Sequence, residues 1–379
     1  MRSRSLEELV GGCLEETQSG PILVVRREFP LEHTHGALML ESAAEIPSWA
    51  LELLGRSPAP VPDPRRLLYL DTETTGLAGG TGTYVFLVGA GLFEGDSFVV
   101  TQYFLRDLDE EPALIAALSR LISRFEGVVT YNGRGFDLPL LETRFILTRH
   151  RWPAGLWHLD LLWPARRLWG GHLPDCRLGT VERHLGLCRG EDVPGSLIPS
   201  LYFDYLRRRY PGDMPKVFAH NRADVLALAA LAGWVSLALS DPERLDLSPE
   251  EHVGLGRLWE GVERERSAAC YRAALELGLR SPAREHVLLR LGYHEKRRSR
   301  WEEACAHWEA CLAGSGGFDP RPWEELAKFH EHRARNFSVA HRLVAAAIGE
   351  AEAAGAGSGI LERLRCREDR LTRRLRPGR

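Results

Sequence analysis

The feature that most constrains this chain is the order of its apolar runs from Leu67 onward. "LLYLD" reads as a buried strand, and "TYVFLVGAGLFEG" and "SFVVTQYFL" follow as two more, separated by a Glu-Gly-Asp turn. A turn this short predicts a hairpin, so the three strands form an antiparallel unit. "DLDEEPALIAALSRLISRFEG" then opens acidic and continues with apolar residues spaced three and four apart, the pattern of a helix. "VVTYN" and "WHLDLL" read as further strands, and "DLPLLETRFILTRH", "RLGTVERHLGL" and the long apolar "VFAHNRADVLALAALAGWVSLAL" as helices. Three strands, helix, strand, helix, strand, helices is an α/β plan with one mixed sheet flanked by helices. In such sheets functional sites gather at the C-terminal ends of strands.

The residues on either side divide differently. Residues 1–66 have little periodicity apart from "PILVVRREF" and end in the proline-rich "GRSPAPVPDPRR", so they read as an N-terminal arm and linker packed on the next domain or on a partner. The core domain is expected over 67–240, and 241–379 as a separate helical domain. In that last part "GLGRLWEGVERERSAACYRAALELG", "RLGYHEKRRSRWEEACAHWEACLAG" and "ELAKFHEHRARNFSVAHRLVAAAIG" align at offsets of 36 and 35, with Leu255, Leu291 and Leu326 in register and a small residue after each. Each unit predicts a helix pair. A period near 34 residues resembles the tetratricopeptide repeats, for which about three units make a stable stack. "LERLRCREDRLTRRLRPGR" reads as a capping helix or basic tail.

Composition sets weaker limits. A net charge of -3 gives no global attraction to nucleic acid, so a polyanion would have to meet a local basic face. Seven cysteines with no CxxC pair read as reduced thiols in a cytoplasmic protein. The first residues have no apolar signal core, and the uncharged stretch from Leu77 to Phe93 is too short and polar for a membrane span. The chain has 46 arginines but 3 lysines, and only 3 asparagines and 2 glutamines, a bias that fits either a GC-rich genome or a hot habitat.

Chemistry concentrates in three places. Asp71 and Glu73 flank Thr72, so on a strand both carboxylates face one side. Two adjacent carboxylates repel unless a cation lies between them, and oxygen ligands suit Mg²⁺ or Mn²⁺. In "TYNGRGFDLPLL" a strand ends at Asn132 and a glycine-containing loop leads to Asp137 at a helix start. In "FAHNRADVLAL", His220 and Asp224 are separated by about 40° around a helix axis and share one face. Four carboxylates and a histidine suffice for a two-metal site, the imidazole taking the proton from an activated water.

"DTETTGL", "YNGRGFDLPLL" and "HNRADVLAL" resemble the three exonuclease motifs of the DEDD superfamily of 3′-to-5′ exonucleases, in the right order and over roughly residues 67 to 237. The resemblance implies a ribonuclease H-like fold, with two divalent cations, Mg²⁺ or Mn²⁺, held directly by Asp71, Glu73 and Asp224. Asp137 would act through water and His220 as general base. Thr72, Gly76, Leu77 and Asn132 are the expected substrate-binding residues, Gly76 and Leu77 against the terminal nucleotide. The chain departs from the histidine branch in one respect: the base lies four residues before the last Asp rather than five, the tyrosine branch's spacing. A histidine at four, together with a repeat array, resembles the bacterial YprB group, ribonuclease H-like proteins that accompany a DNA helicase. The implied activity is exonucleolysis of single-stranded or unwound DNA, probed against two others: action on RNA or at internal sites, and a repeat scaffold carrying an inactive nuclease domain. Single-stranded DNA is the expected nucleic-acid partner, with RNA as the other, and a helicase or similar protein would dock on the repeats.

The remaining clusters have structural readings beside functional ones. His33 and His35 read as a solvated loop rather than a metal pair, and His158 and Asp160 as a strand-end pair rather than extra ligands. Asp175, Cys176, His184 and Cys188 fit no zinc spacing. Trp152, Trp157, Trp163 and Trp169, interleaved with Arg149, Arg151, Arg166 and Arg167, read as core residues, at least half of them, or as a stacking and phosphate-binding platform.

Overall fold

The computed structural model describes residues 4–36, 38–76, 81–187, 189, 192–314 and 317–375. The chain divides into two compact units, residues 1–246 and 247–379.

The first unit is built on a mixed sheet of seven strands. In chain order the strands are β1 (Cys13–Thr17), β2 (Gly20–Pro30), β3 (Thr34–His35), β4 (Leu38–Met39), β5 (Leu67–Thr74), β6 (Val85–Glu94), β7 (Ser97–Phe104), β8 (Gly127–Thr130) and β9 (Trp157–Asp160). β3 and β4 form a separate two-residue ladder, and the others lie in the order β1-β2-β7-β6-β5-β8-β9. As expected, β5, β6 and β7 are consecutive antiparallel strands, while β8 and β9 continue parallel to β5. Residues 1–66 are expected as an arm packed on the next domain or on a partner. Instead β2 pairs antiparallel along the length of β7, from Leu23 opposite Phe104 to Pro30 opposite Ser97. Its run of buried residues, Ile22 to Val25, explains why "PILVVRREF" carries the one strong apolar signal of that segment.

The 27-residue helix Met214–Ser240 lies against this sheet. It is apolar on nearly all sides because most of it is buried. Its approach depends on Gly89 and Gly91 in β6: a Cβ at Gly89 would lie 2.4 Å from Asn221 Oδ1, and one at Gly91 would lie 2.6 Å from Val225. Five helices of the first unit, among the described residues, are not expected from periodicity: Leu6–Val10, Glu41–Ala44, Ser48–Gly55, Leu162–Trp169 and Ile198–Arg208. Each is short or interrupted by proline, so its periodicity is weak.

The second unit is all helical: Pro249–Trp259 with Arg264–Glu276, Ala283–Arg297 with Trp301–Leu312, Pro320–His332 with Phe337–Ala353, then Ser358–Leu375. Leu255, Leu291 and Leu326 are all buried. The small residue after the leucine makes room for the second helix: a Cβ at Gly256 would lie 2.3 Å from Tyr271, and one at Gly292 would lie 2.2 Å from Trp308. Small buried clusters run from one pair into the next, for example Tyr271 with Leu291 and Trp308 with Leu326. The final helix buries Leu364 and Leu371, and its Arg367 and Arg370 both bond the buried Glu331, at 3.1 and 2.7 Å.

Candidate metal centre and active site

Three elements bring the acids together. β5 carries Asp71 and Glu73, the helix Asp137–Leu147 begins with Asp137, and the Met214–Ser240 helix carries His220 and Asp224 one turn apart. Across the sheet Asp71, Gly89 and Gln102 stand in one row, because Gly89 pairs with both of the others. Directly paired residues share a face, and the missing side chain at Gly89 leaves a hole that Asn221 fills. Asn221 Nδ2 donates to Asp71 Oδ2 at 2.8 Å, and its Oδ1 accepts from Gln102 Nε2, also at 2.8 Å. Gln102 also donates to the Phe218 carbonyl. Two of the chain's few side-chain amides therefore form a buried chain that fixes one carboxylate.

Thr72 alternates away from Asp71 and Glu73, is buried, and donates its hydroxyl to Asp137 Oδ1 at 2.5 Å. The Asp137 helix is anchored from the other end by Arg144, whose guanidinium forms a bidentate pair with Glu111 at 2.5 Å and donates to the Thr81 carbonyl at 2.7 Å. Both charges are buried and fully hydrogen-bonded, the condition under which such a pair is tolerated.

Glu73, His220 and Asp224 present ligand atoms within 4.8 Å of one another, the one such group of histidine, cysteine and acidic residues among the described residues. His220 Nε2 lies 3.2 Å from Asp224 Oδ2 and 3.9 Å from Glu73 Oε1. Its other nitrogen, Nδ1, meets Asp192 Oδ1 at 2.6 Å. A carboxylate at that distance requires a proton on Nδ1, so a neutral His220 has its Nε2 lone pair turned toward Glu73 and Asp224. Arg189 closes the other side, bonding Glu182 at 2.6 Å, Asp192 at 3.3 Å, and Asp224. None of Gln102, Glu182, Arg189 or Asp192 belongs to a sequence motif, and only their contacts tie them to the site.

The electrostatics follow from burial and crowding. Burial raises Asp71 and Glu73 well above the usual carboxylate range, and repulsion from Asp224 and Asp137 adds to it. Asp224 is raised less, because Arg189 and His220 oppose the effect of burial. Burial pushes Asp137 up to about 6, with the Thr72 hydroxyl and its own backbone amide pulling down. Asp192 is only partly buried and is held below its ordinary value by His220 and Arg189. Four crowded carboxyls and one imidazole nitrogen, with Asp71 and Asp137 fixed by the buried Asn221 and Thr72, are a donor set that suits a hard divalent cation and that such a cation would relieve.

The remaining expected residues fall around this centre. Asn132 is exposed, in a left-handed conformation at φ 63°. Gly76 accepts from Thr74 through its carbonyl and has open space where a Cβ would point. Leu77 lies outside the described residues, as does Cys188. Asp160 is structural as expected: its carboxylate accepts from the backbone amides of Asn132, Arg134 and Leu162 at 2.8, 3.1 and 3.1 Å and so shapes the loop before Asp137. His158 bonds Thr130 at 2.9 Å, and burial lowers it to about 4. His35 sits 3.8 Å from Glu182. Of the four tryptophans, Trp157 and Trp169 are buried and Trp152 packs on the core, leaving Trp163 half-buried. Asp71, Asp224 and His220 open into a cleft of about 770 Å³ whose walls include Tyr131, Arg177 and Arg183. Arg177 there lies 3.9 Å from Asp175, which lines the same cleft.

Residues 68–236 match the RNase_H superfamily. Over 336 residues the chain is 32% identical to YprB, an uncharacterized protein of Bacillus subtilis (strain 168), covering 87% of this chain and 81% of that protein. Among solved structures, the family B DNA polymerase from the hyperthermophilic archaeon Pyrobaculum calidifontis matches with 16% identity and a TM-score of 0.36, over 56% of this chain and 29% of that one. The YprB match is longer than the 246 residues of the first unit and so extends into the helical one. The chain belongs to the YprB family and carries a ribonuclease H superfamily domain over residues 68–236.

Proposed function

We propose that this ribonuclease H-like nuclease is a two-metal-dependent 3′-to-5′ exonuclease that hydrolyses phosphodiester bonds of single-stranded or unwound DNA, in DNA repair in the cytoplasm. The observation that carries the reading is the convergence of Asp71, Glu73, Asp137, His220 and Asp224 from three separated segments, with Asp71, His220 and Asp224 lining one cleft. Asp71, Glu73 and Asp224 hold the ions directly and Asp137 through water. When bound, Mg²⁺ or Mn²⁺ activates a water and stabilises the leaving oxygen. His220 accepts the water's proton at Nε2, and Asp192 keeps Nδ1 protonated so that this lone pair is available. That support also bears on the four-residue spacing: the imidazole reaches Asp224 and Glu73 from there without the longer interval. Polarity and substrate rest on the likeness of the three motifs to the DEDD exonucleases. Thr72 supports Asp137, while Gly76, Leu77 and Asn132 are kept as substrate contacts. The tetratricopeptide-like helix pairs are the proposed dock for a helicase or other protein partner.

End-labelled single-stranded DNA and RNA, incubated with Mg²⁺ or Mn²⁺ and then with EDTA, test the reading. A ladder that shortens from the 3′ end of DNA is expected. Cleavage confined to RNA or to internal sites would replace the substrate or the polarity, and no metal-dependent product would leave a scaffold with an inactive domain.

A further inference from the structure

A second groove, of about 470 Å³, is lined by Asn132, Arg134 and Gly135 of the loop before Asp137. Tyr131 lines the acid cleft, and its neighbour Asn132 lines this groove, so one loop borders both. The groove is walled by Arg56 at the end of the Ser48–Gly55 helix, by Arg134 in the loop, and by Trp163 and Arg166 on the Leu162–Trp169 helix. The helix end is pinned, because Gly55 packs so close to Trp157 that a Cβ would lie 2.1 Å from its ring. Pinning places the Arg56 guanidinium 4.8 Å from the Trp163 ring centre.

Three properties single this groove out. Arg56, Arg134 and Arg166 are exposed, and none of them pairs with a carboxylate among the described residues. The groove's own acid, Asp160, already has both oxygens engaged by backbone amides. Trp163 is half-buried and has guanidiniums over its ring, Arg56 at 4.8 Å and Arg167 at 5.5 Å, while Trp157 and Trp169 are fully committed to the core. Arginines without a carboxylate partner around a half-exposed indole form the arrangement that holds a flexible polyanion bearing flat bases.

We infer that this groove, between the Arg56 helix end, the Asn132–Asp137 loop and Trp163, is a second contact site for the single-stranded DNA whose end enters the acid cleft. The inference rests on the proposed nuclease reading for its choice of ligand. Arg134 and Arg166 contact phosphates, and a base stacks on the Arg56–Trp163 pair.

The test is binding without hydrolysis: full-length protein in EDTA with a 5′-fluorescein-labelled dT 20-mer, followed by fluorescence anisotropy between 50 and 200 mM salt. The double substitution Arg134→Ala with Arg166→Ala is expected to weaken binding about tenfold and to flatten the slope of log affinity against log salt by about 1.4, two phosphate contacts on a single strand. Trp163→Ala should weaken binding several-fold, and Trp163→Phe, which keeps a stacking face, should restore most of it. Thermal melting checks that each variant is folded. Affinity within twofold of wild type and an unchanged slope in the folded double variant would overturn the phosphate contacts. Equal losses for the Ala and Phe variants would overturn the stacking. Metal-dependent hydrolysis, measured separately on the wild type, reports on the nuclease reading, so either idea can fail while the other stands.

Discussion

Replacing Asp137 by asparagine should stabilise the metal-free protein, an unusual outcome for a buried active-site position. Asp137 titrates near 6 rather than its ordinary 3.8 because it is buried. A carboxyl whose pKa is raised by folding contributes its full stability below the ordinary value and loses it as pH rises through the folded one. Here that window runs from 3.8 to about 6. Two units at 1.36 kcal/mol each put the cost of the ionised form near 3 kcal/mol at pH 7.5. Asparagine keeps an oxygen to accept from Thr72 Oγ1. It gives up a negative charge at a helix N-terminus, worth up to about 1 kcal/mol. The net gain is about 2 kcal/mol, or roughly 4–8 °C in Tm for a domain of this size. Differential scanning fluorimetry in EDTA at pH 7.5 and at pH 4 measures it. The gain should appear at pH 7.5 and fade at pH 4, where the wild-type carboxyl is mostly protonated. Added Mn²⁺ should raise the wild-type Tm more than that of Asp137→Asn. A variant that melts lower than wild type in EDTA at pH 7.5 would refute the view that burial makes the ionised Asp137 carboxyl costly until a cation joins it.

Other expectations rest on separate contacts. Asp192→Asn should lower kcat by about 10- to 100-fold with little change in KM, a part of the 10² to 10⁴ that a general base contributes, because His220 loses the partner that fixes its tautomer; steady-state kinetics on short single-stranded DNA read the split. Gly89→Ala would drive a methyl group to within 2.4 Å of Asn221 Oδ1, so it should cost about 1–3 kcal/mol by chemical denaturation and lower activity through the loosened Asp71. Trp308→Ala should destabilise the helical unit by about 3–5 kcal/mol, seen as an earlier transition in urea melts followed by circular dichroism.

Much of this arrangement was legible in the sequence because the features involved are local. The antiparallel β5-β6-β7 unit follows from apolar runs with a short turn, and the repeat register of Leu255, Leu291 and Leu326 from offsets. The scarcity of amides made Asn132 and Asn221 conspicuous, although not what Asn221 does: its partners Gln102 and Asp71 lie 119 and 150 residues away. The same distance hides Arg189 and Asp192, which reach Asp224 and His220 from a loop without periodicity. Residues 13–30 looked like an arm because an edge hairpin announces only its own alternation. Its place in the sheet is decided by pairing with β7, about 75 residues further on.

The central claim is that Asp71, Glu73, Asp137 and Asp224 hold cations that cut nucleic acid. The most direct test follows a 5′-labelled single-stranded DNA over time with Mn²⁺ or Mg²⁺ for the wild type and for Asp71→Ala and Asp224→Ala, each checked for a cooperative melt. The wild type should produce a ladder that shortens from the 3′ end and stops on addition of EDTA, and both variants should be folded and inert. Hydrolysis that persists in either folded variant, or a wild type inert with both metals, would contradict the assignment.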